Sequence, residues 1–381
     1  MRVLHVHSGN LFGGVETFLL TLAAESRHAP SMTSDFAVCF DGAFSARLTT
    51  LGRAPHVLGE VRLSRPNSVR RARTALRELL RQTSPDVVVC QQPWSCVVFG
   101  SVVREMGYPL VLWVHMASDG RHWLERAAKL TSPDVVLANS RYTASRVAQW
   151  LPRVSNHVAY CPVSIPDDGD GSVRWPLRHD LGVDDARVVV TMVARAEAWK
   201  GHRVLLEACS RLRDLPHWEC WMVGGAQRPA EADYLASLHG AVDQLGLGDR
   251  IKWLGARADV PAILAASDIY CQPNLEPEPF GLSLVEALLA GVPVVTSAAG
   301  GALEIVDDSC GTLTPPGDAR AVADALRALI ADPDRRERMG AAGRRRSRAL
   351  CAPEAQLPYI ERLLSSTTRR KPGNEEARRV G

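Results

Sequence analysis

Short apolar runs and helix-spaced apolar stretches alternate along almost the whole chain, and that alternation predicts its architecture. In the first half Arg2–His7, Asp35–Phe40, Asp86–Cys90, Leu110–His115, Asp134–Asn139 and His157–Cys161 read as strands, with amphipathic stretches between most of them. The pattern then restarts with Arg187–Val193, Glu219–Val223, Arg250–Leu254, Asp268–Gln272 and Pro293–Ser297. Such alternation predicts parallel sheets covered by helices on both faces. Between the halves the chain reads CPVSIPDDGDGSVRWP, where proline, glycine and aspartate dominate and a linker is expected. The expected organisation is a first domain over 1–165, a linker over 166–178 and a second domain over 179–350. A C-terminal helix follows over 351–366. A charged tail over 367–381 lacks a hydrophobic face and is expected to be disordered. Two α/β units of similar size imply a cleft between doubly wound domains, with ligands beyond the carboxyl ends of the strands.

Composition changes this picture little. The 381 residues, 46% hydrophobic and 23% charged, are those of a globular protein with sizeable cores. A net charge of +3 argues against nucleic acid as an obligate partner. The nine cysteines are scattered without a C-x-x-C pair, and several sit in apolar runs such as DVVVC. Buried free thiols in a reducing cytoplasm are expected, and no metal site is visible. The chain opens on RVLHVH with no charged region ahead of a long apolar one, so no signal peptide is expected. No run of about 18 apolar residues predicts a transmembrane helix.

The candidate chemistry is densest in EPEPFGLSLVEALLAGVPVVTSAAGGALE, Glu276 to Glu304. Glu278 and Glu286 stand eight positions apart around a Phe280-Gly281 turn. Leu282, Val285, Leu288 and Leu289 have helical spacing, so a helix is expected just after Gly281. Its first N–H groups, near Gly281, Leu282 and Ser283, would face an anion such as a diphosphate. One carboxylate could then accept hydroxyls from a sugar and the other from a ribose. The plain alternative is an ordinary turn with two surface glutamates. Upstream, in ARAEAWKGH, Arg195 and Lys200 follow a buried-looking strand. Fixed cations there would stabilise the charge of a departing nucleoside diphosphate.

At these residues the chain resembles the retaining glycosyltransferases of family 4, which adopt the two-domain GT-B fold. The resemblance rests on an E-x7-E element, G-x-P-V-V and a glycine pair before a glutamate. Those positions are Glu278, Glu286, Gly291, Pro293, Val294, Val295, Gly300, Gly301 and Glu304. It implies an α/β fold of two Rossmann-like doubly wound domains facing a central cleft, with a terminal helix crossing back to the first domain. It also implies sugar transfer from a nucleotide-sugar, UDP- or GDP-linked, with retention and without a metal or other cofactor. Glu286 would hold the ribose and Glu278 the donor sugar. Arg195 and Lys200 would neutralise the diphosphate, and His115, ending the strand LVLWVH, would support the reacting sugar. The linker lacks the family's N-G pair, which puts in doubt any contact made by that asparagine.

Other positions are more open. Gly13 and Gly14, in GNLFGGVET, make an anion-facing helix start or a tight turn alone; the G-x-G-x-x-G spacing is absent. That absence, and the lack of an acid ending the strand DFAVCF, argue against an NAD-dependent dehydrogenase. Trp94, in a Gln91-Gln92-Pro93-Trp94 stretch after a strand, and Ser118 with Asp119 are candidate acceptor contacts. Asn139 and Ser140 read as a turn and helix cap. Seven arginines between Arg62 and Arg81 line an amphipathic helix. A solvated face is the favoured reading, and peripheral docking on anionic lipid at the inner face of the membrane is the other. The acceptor could be a glycan, a lipid-linked saccharide or a small metabolite. A nucleotide-sugar-binding protein, or an enzyme coupling non-sugar rings, is the alternative to a transferase.

Overall fold

The computed structural model describes residues 1–165, 172–184 and 186–368. They form two compact units, Met1–Pro162 with the terminal helix Pro353–Thr368, and Val163–Cys351.

Unit 1 holds seven strands: β1 Arg2–His7, β2 Thr33–Val38, β3 His56–Val57, β4 Val87–Gln91, β5 Leu110–Val114, β6 Val135–Ala138 and β7 Ser155–Val158. Every pairing is parallel, in the order β3-β2-β1-β4-β5-β6-β7. The central strands β4 and β5 are buried at every position, as a sheet covered on both faces requires. Leu76 and Leu80 of helix Pro66–Thr83, and Val98, Phe99 and Val102 of helix Gln92–Glu105, pack with Leu4, Val88 and Leu112 in one core. The terminal helix lies against helix Gly14–Ala24 and the turn Ser26–His28.

Unit 2 repeats the plan with β8 Val188–Val193, β9 Trp218–Val223, β10 Ile251–Gly255, β11 Ile269–Gln272, β12 Val294–Ser297 and β13 Gly311–Thr314. The order is β10-β9-β8-β11-β12-β13, again all parallel. Val190, Met192, Leu205, Trp218 and Leu326 anchor its core.

In each sheet the strand order reverses once, between β1 and β4 and between β8 and β11. Crossover helices leave in opposite directions there and open a crevice beyond the carboxyl ends. His7 and Gln91 end the strands at the first reversal, Val193 and Gln272 at the second.

Some expectations need correction. β2 and β7 each begin two residues earlier than the apolar runs suggest. β3 is two exposed residues made a strand only by pairing with Ala37 and Val38. β13 starts on a glycine and is likewise defined by its partner β12 rather than by its own composition. Helix Arg174–Asp180 occupies the end of the segment read as linker. Its Arg178 is fully buried and pairs with Asp268 at 3.0 Å, so proline-rich composition there conceals an anchored element. Thr367 and Thr368 complete the terminal helix instead of opening a tail. Residues 166–171 of the expected linker and 369–381 of the expected tail lie outside the described residues.

Candidate active site

At the reversal in unit 2, β11 delivers Gln272 into the interior, where Thr296 Oγ1 donates to its carbonyl at 2.8 Å. The Gln272 amide then organises the groups around it. Its Nε2 donates to Asn274 Oδ1 at 2.9 Å and to Glu278 Oε2 at 3.0 Å. Its Oε1 accepts from Tyr270 at 2.7 Å and from Ser283 Oγ at 3.1 Å. Asn274 Nδ2 reaches the same Glu278 oxygen at 2.8 Å and Lys200 Nζ reaches it at 2.7 Å. One carboxylate oxygen thus collects three donors, one of them charged, and such bonds to an ionised acceptor are the strong ones. The Lys200 ammonium also lies 3.9 Å from the centre of the Trp199 ring, a cation–π contact on its other side. Burial raises the Tyr270 phenol well above its usual value, so it serves here as a donor.

Glycines let the loops reach this arrangement. A side chain on Gly300 (φ +70°) would place Cβ 2.2 Å from the Glu278 carbonyl oxygen, and one on Gly301 would stand 2.7 Å from that of Pro279. Gly301 N–H donates to the Glu278 carbonyl at 2.6 Å. The glycine pair therefore clasps the backbone that carries Glu278. Gly281 (φ +105°) turns the chain into helix Leu282–Leu289 as expected.

Glu286 contrasts with Glu278. It is half-buried in that helix, and its carboxyl makes no hydrogen bond or ion pair among the described residues. Burial without a partner pushes that carboxyl up to about 7.

Arg195, expected as a fixed cation, is held by two acids. Its guanidinium is held by Glu231 Oε1 at 2.9 Å and Glu197 Oε1 at 2.7 Å. Glu231 is fixed in turn by the Gln227 N–H at 2.7 Å. Sequence reading missed this pair of acids, and it missed Gln272 and Asn274, whose signal is the Q-x-N following a buried strand.

Unit 1 holds the remaining candidates. His115 lies just past β5, its Nε2 2.7 Å from Gln91 Oε1, its ring stacked on Trp113 at 5.6 Å and tilted against Phe18 at 5.2 Å. Burial, with the His7 and His5 imidazoles close by, lowers it to about 3, so the ring is neutral. The Gly13 N–H is taken by Glu16 Oε2 at 2.9 Å, while Glu16 Oε1 meets His7 Nε2 at 2.6 Å. Gly13 thus caps helix Gly14–Ala24 and its amide is already used; Gly13 and Gly14 belong to unit 1. Trp94 lies in helix Gln92–Glu105 and packs on the core rather than standing on a loop. Ser118 is fully buried and donates to Glu125 at 2.7 Å, a structural tie that removes it as an open acceptor contact. Asp119 pairs with Arg146 at 3.4 Å and Arg121 at 3.5 Å. Ser140 caps helix Arg141–Val147 through the Thr143 N–H at 2.9 Å. In the basic helix Arg73 holds the Val98 carbonyl at 2.6 Å and Arg77 meets Glu105 at 2.6 Å. Arg70, Arg73, Arg77, Leu63, Pro66 and Val69 line a cavity of about 450 Å³. All nine cysteines are buried thiols outside any disulfide. No helix of the described residues is long and apolar enough to cross a membrane.

Two parallel α/β units, each with chemistry gathered at its reversal point, define a protein of GT-B architecture. The sequence model for glycosyl transferases group 1 matches residues 173–346, and that for glycosyltransferase family 4 matches residues 12–165. Between them they account for both units, and the chain belongs to family 4 of the glycosyltransferases. It is 33% identical over 224 residues to a GDP-mannose-dependent alpha-(1-6)-phosphatidylinositol monomannoside mannosyltransferase of Mycolicibacterium smegmatis, covering 55% of this chain and 56% of that one. It is 32% identical over 252 residues to a D-inositol 3-phosphate glycosyltransferase of Xylanimonas cellulosilytica, covering 63% and 59%. The matched stretch thus spans little more than half the length of these relatives. Among solved structures, HepE of Anabaena in complex with UDP-glucose superposes with a TM-score of 0.85 at 27% identity, covering 96% of this chain and 100% of that one.

Proposed function

We infer that the protein transfers a hexose-type sugar from a nucleotide-sugar to an acceptor hydroxyl, with retention and without a metal. The observation that carries this reading is the Lys200–Glu278 pair beside the start of helix Leu282–Leu289, at the reversal of the unit 2 sheet. In the proposed reaction the acceptor oxygen bonds to the anomeric carbon on the face from which the diphosphate departs. The bond from that carbon to the phosphate oxygen breaks, and the leaving phosphate takes the acceptor proton. Lys200 and the first N–H groups of the helix stabilise the growing negative charge. Glu278, its Oε2 occupied by three donors, presents its other oxygen to sugar hydroxyls. Glu286 accepts from the ribose, which supplies the partners its half-buried carboxylate lacks. His115 supports the sugar, and Arg195 meets the diphosphate by exchanging one of its glutamates for a phosphate oxygen.

The relatives support a GDP- or UDP-sugar, since one is described as GDP-mannose-dependent and HepE binds UDP-glucose. The acceptor on this reading is a glycan, lipid-linked saccharide or small polyol in the cytoplasm. The exposed Arg65, Arg70 and Arg71 are the residues by which the basic helix would touch an anionic membrane. The hold of two acids on Arg195 favours one second reading, a nucleotide-sugar-binding protein that does not transfer.

A thermal-shift screen against UDP-, GDP-, ADP- and dTDP-sugars in EDTA tests both. A ligand that binds only the folded state raises the melting temperature by mass action. One donor should raise it and be slowly hydrolysed when no acceptor is present. A shift without hydrolysis or transfer supports the second reading, and no shift with any donor overturns both.

A further inference from the structure

The reversal point of unit 1 contains a hydrogen-bond chain of which the transfer reading uses only one end, His115. His115 Nε2 stands 2.7 Å from Gln91 Oε1, and Gln91 Nε2 stands 3.1 Å from His5 Nδ1. Gln91 and His5 are both fully buried, and β4 and β1 carry them as neighbouring strands of the sheet. The far nitrogen of His5, Nε2, is buried without a partner. Around the chain lie Phe36, stacked on His5 at 5.5 Å, and the buried His7–Glu16 pair.

An amide has one acceptor end and one donor end, so it forces a choice on both rings. With Oε1 towards His115, that ring must carry its proton on Nε2, and His5 must accept at Nδ1. With the amide turned over, both rings must carry the proton on Nδ1. The distances decide between them. A contact of 2.7 Å suits N–H···O and is short for N–H···N, whereas 3.1 Å is ordinary for N–H···N. The neutrality of both rings keeps the choice sharp, because an imidazolium would donate from either nitrogen: burial lowers His5 to about 3 as well.

We propose that Gln91, backed by the buried His5, is a positioning residue that fixes the half-buried His115 ring in its Nε2–H form, leaving Nδ1 as an acceptor for a substrate hydroxyl. His115 Nδ1 makes no hydrogen bond among the described residues, so it is the end of the chain available to a ligand. A sugar hydroxyl would donate to it, and a group that only accepts would be refused. The assignment rests on the reading of His115 as a substrate contact. It also explains why a neutral amide, rather than a carboxylate, stands between two histidines. An anion there would favour charging the ring and would turn an acceptor into a donor.

The wild-type protein carries the first test. In a ¹⁵N-labelled sample, with His115 assigned by the peak lost in His115→Ala, its ring should show the Nε2–H tautomer and stay uncharged between pH 5 and pH 9. Gln91→Leu should mix the two tautomers and lower kcat on the order of tenfold with little change in donor KM, the effect of releasing a positioned group. Gln91→Glu keeps the acceptor at His115, and should hold the Nε2 proton while raising the pH at which the ring charges. An Nδ1–H tautomer in the wild type, a ring charging near pH 6.5, or an unchanged tautomer in Gln91→Leu would each overturn the assignment. Unchanged turnover in His115→Ala, with the tautomer behaving as described, would instead overturn the substrate-contact reading on which it rests.

Discussion

The two reversal points share a topology and differ in chemistry. In unit 2 the carboxyl ends of β8 and β11 lead to ions: Lys200 on Glu278, Arg195 between Glu197 and Glu231, and Glu286 with no partner for its carboxyl among the described residues. In unit 1 strands β1, β4 and β5 bring together a buried amide, an aromatic wall and two neutral rings, with the His7–Glu16 imidazole–carboxylate pair nearby. A doubly wound sheet supplies only the crevice. Which side chains end its strands decides whether the crevice attends to charge, as a diphosphate requires, or to hydroxyl direction, as a neutral sugar does.

The largest effect should come from removing the cation on the ionic side. Lys200→Ala is expected to lower kcat about 10²- to 10³-fold, the range for losing one fixed donor to a developing charge. Donor affinity should change only a few-fold, because the charge in question grows mainly in the transition state. Steady-state kinetics beside donor titration checks this, and wild-type turnover would end the leaving-group assignment. Glu278→Ala should harm both, since it deprives Lys200, whose side chain is only 16% exposed, of its carboxylate.

The contrast also explains what could be read from the chain beforehand. Half of the ionic side is contiguous, with Glu278, Gly281, Ser283 and Glu286 inside one short stretch and Arg195 and Lys200 inside another, so local spacing reveals those residues although Lys200 meets Glu278 across 78 positions. The neutral side is assembled by strand pairing from distant positions: Gln91 and His5 are 86 residues apart, and His115 lies 24 beyond Gln91. No local pattern marks a glutamine as the partner of a histidine on another strand. The same limit hid Glu231, 36 positions from Arg195. Ser118 misled because a strand's carboxyl end looks alike in sequence whether the next side chain opens to solvent or, as here, turns to Glu125, while Trp94 stands half-buried on a helix against the core. The long strands were legible because burial on both faces demands continuous apolar runs, while β3 and β13 were not because pairing alone defines them.

An intermediate effect should follow from loosening the loop that carries Glu278. In Gly300→Ala the new Cβ would stand 2.2 Å from the Glu278 carbonyl oxygen, at a φ of +70°. Overpacking of this kind costs about 1–3 kcal/mol, and about 1 kcal/mol corresponds to 2–4 °C of melting temperature in a unit this size. Gly182→Ala is the control, because Gly182 has a similar φ of +65° and nothing within 4 Å of its Cβ. Gly300→Ala should melt lower than Gly182→Ala and also lose donor affinity. Equal melting temperatures and equal affinity would mean that the glycine pair does not hold Glu278.

The smallest effect is the most selective, because it separates the two sides by pH. His115, lowered to about 3, stays neutral above pH 5 and should contribute no limb to donor binding. Glu286, raised to about 7, should contribute one. Its folded-state value lies above the ordinary carboxyl value of 4.5, so the stability its protonated form confers is fully present below about pH 4.5. That stability is lost as pH rises towards 7, across the interval in which the unfolded chain has ionised and the folded chain has not. On the proposed ribose assignment, donor binding should have the opposite dependence, since hydroxyls are better held by the carboxylate than by the acid. Affinity should therefore rise about tenfold between pH 6 and pH 8, as the ionised fraction of a group titrating near 7 rises. Glu286→Gln should flatten that rise, and should make the ligand-free protein melt slightly higher than wild type at pH 8. A rise that survives in Glu286→Gln but disappears in His115→Gln would reverse the comparison, making unit 1 the side that senses the proton.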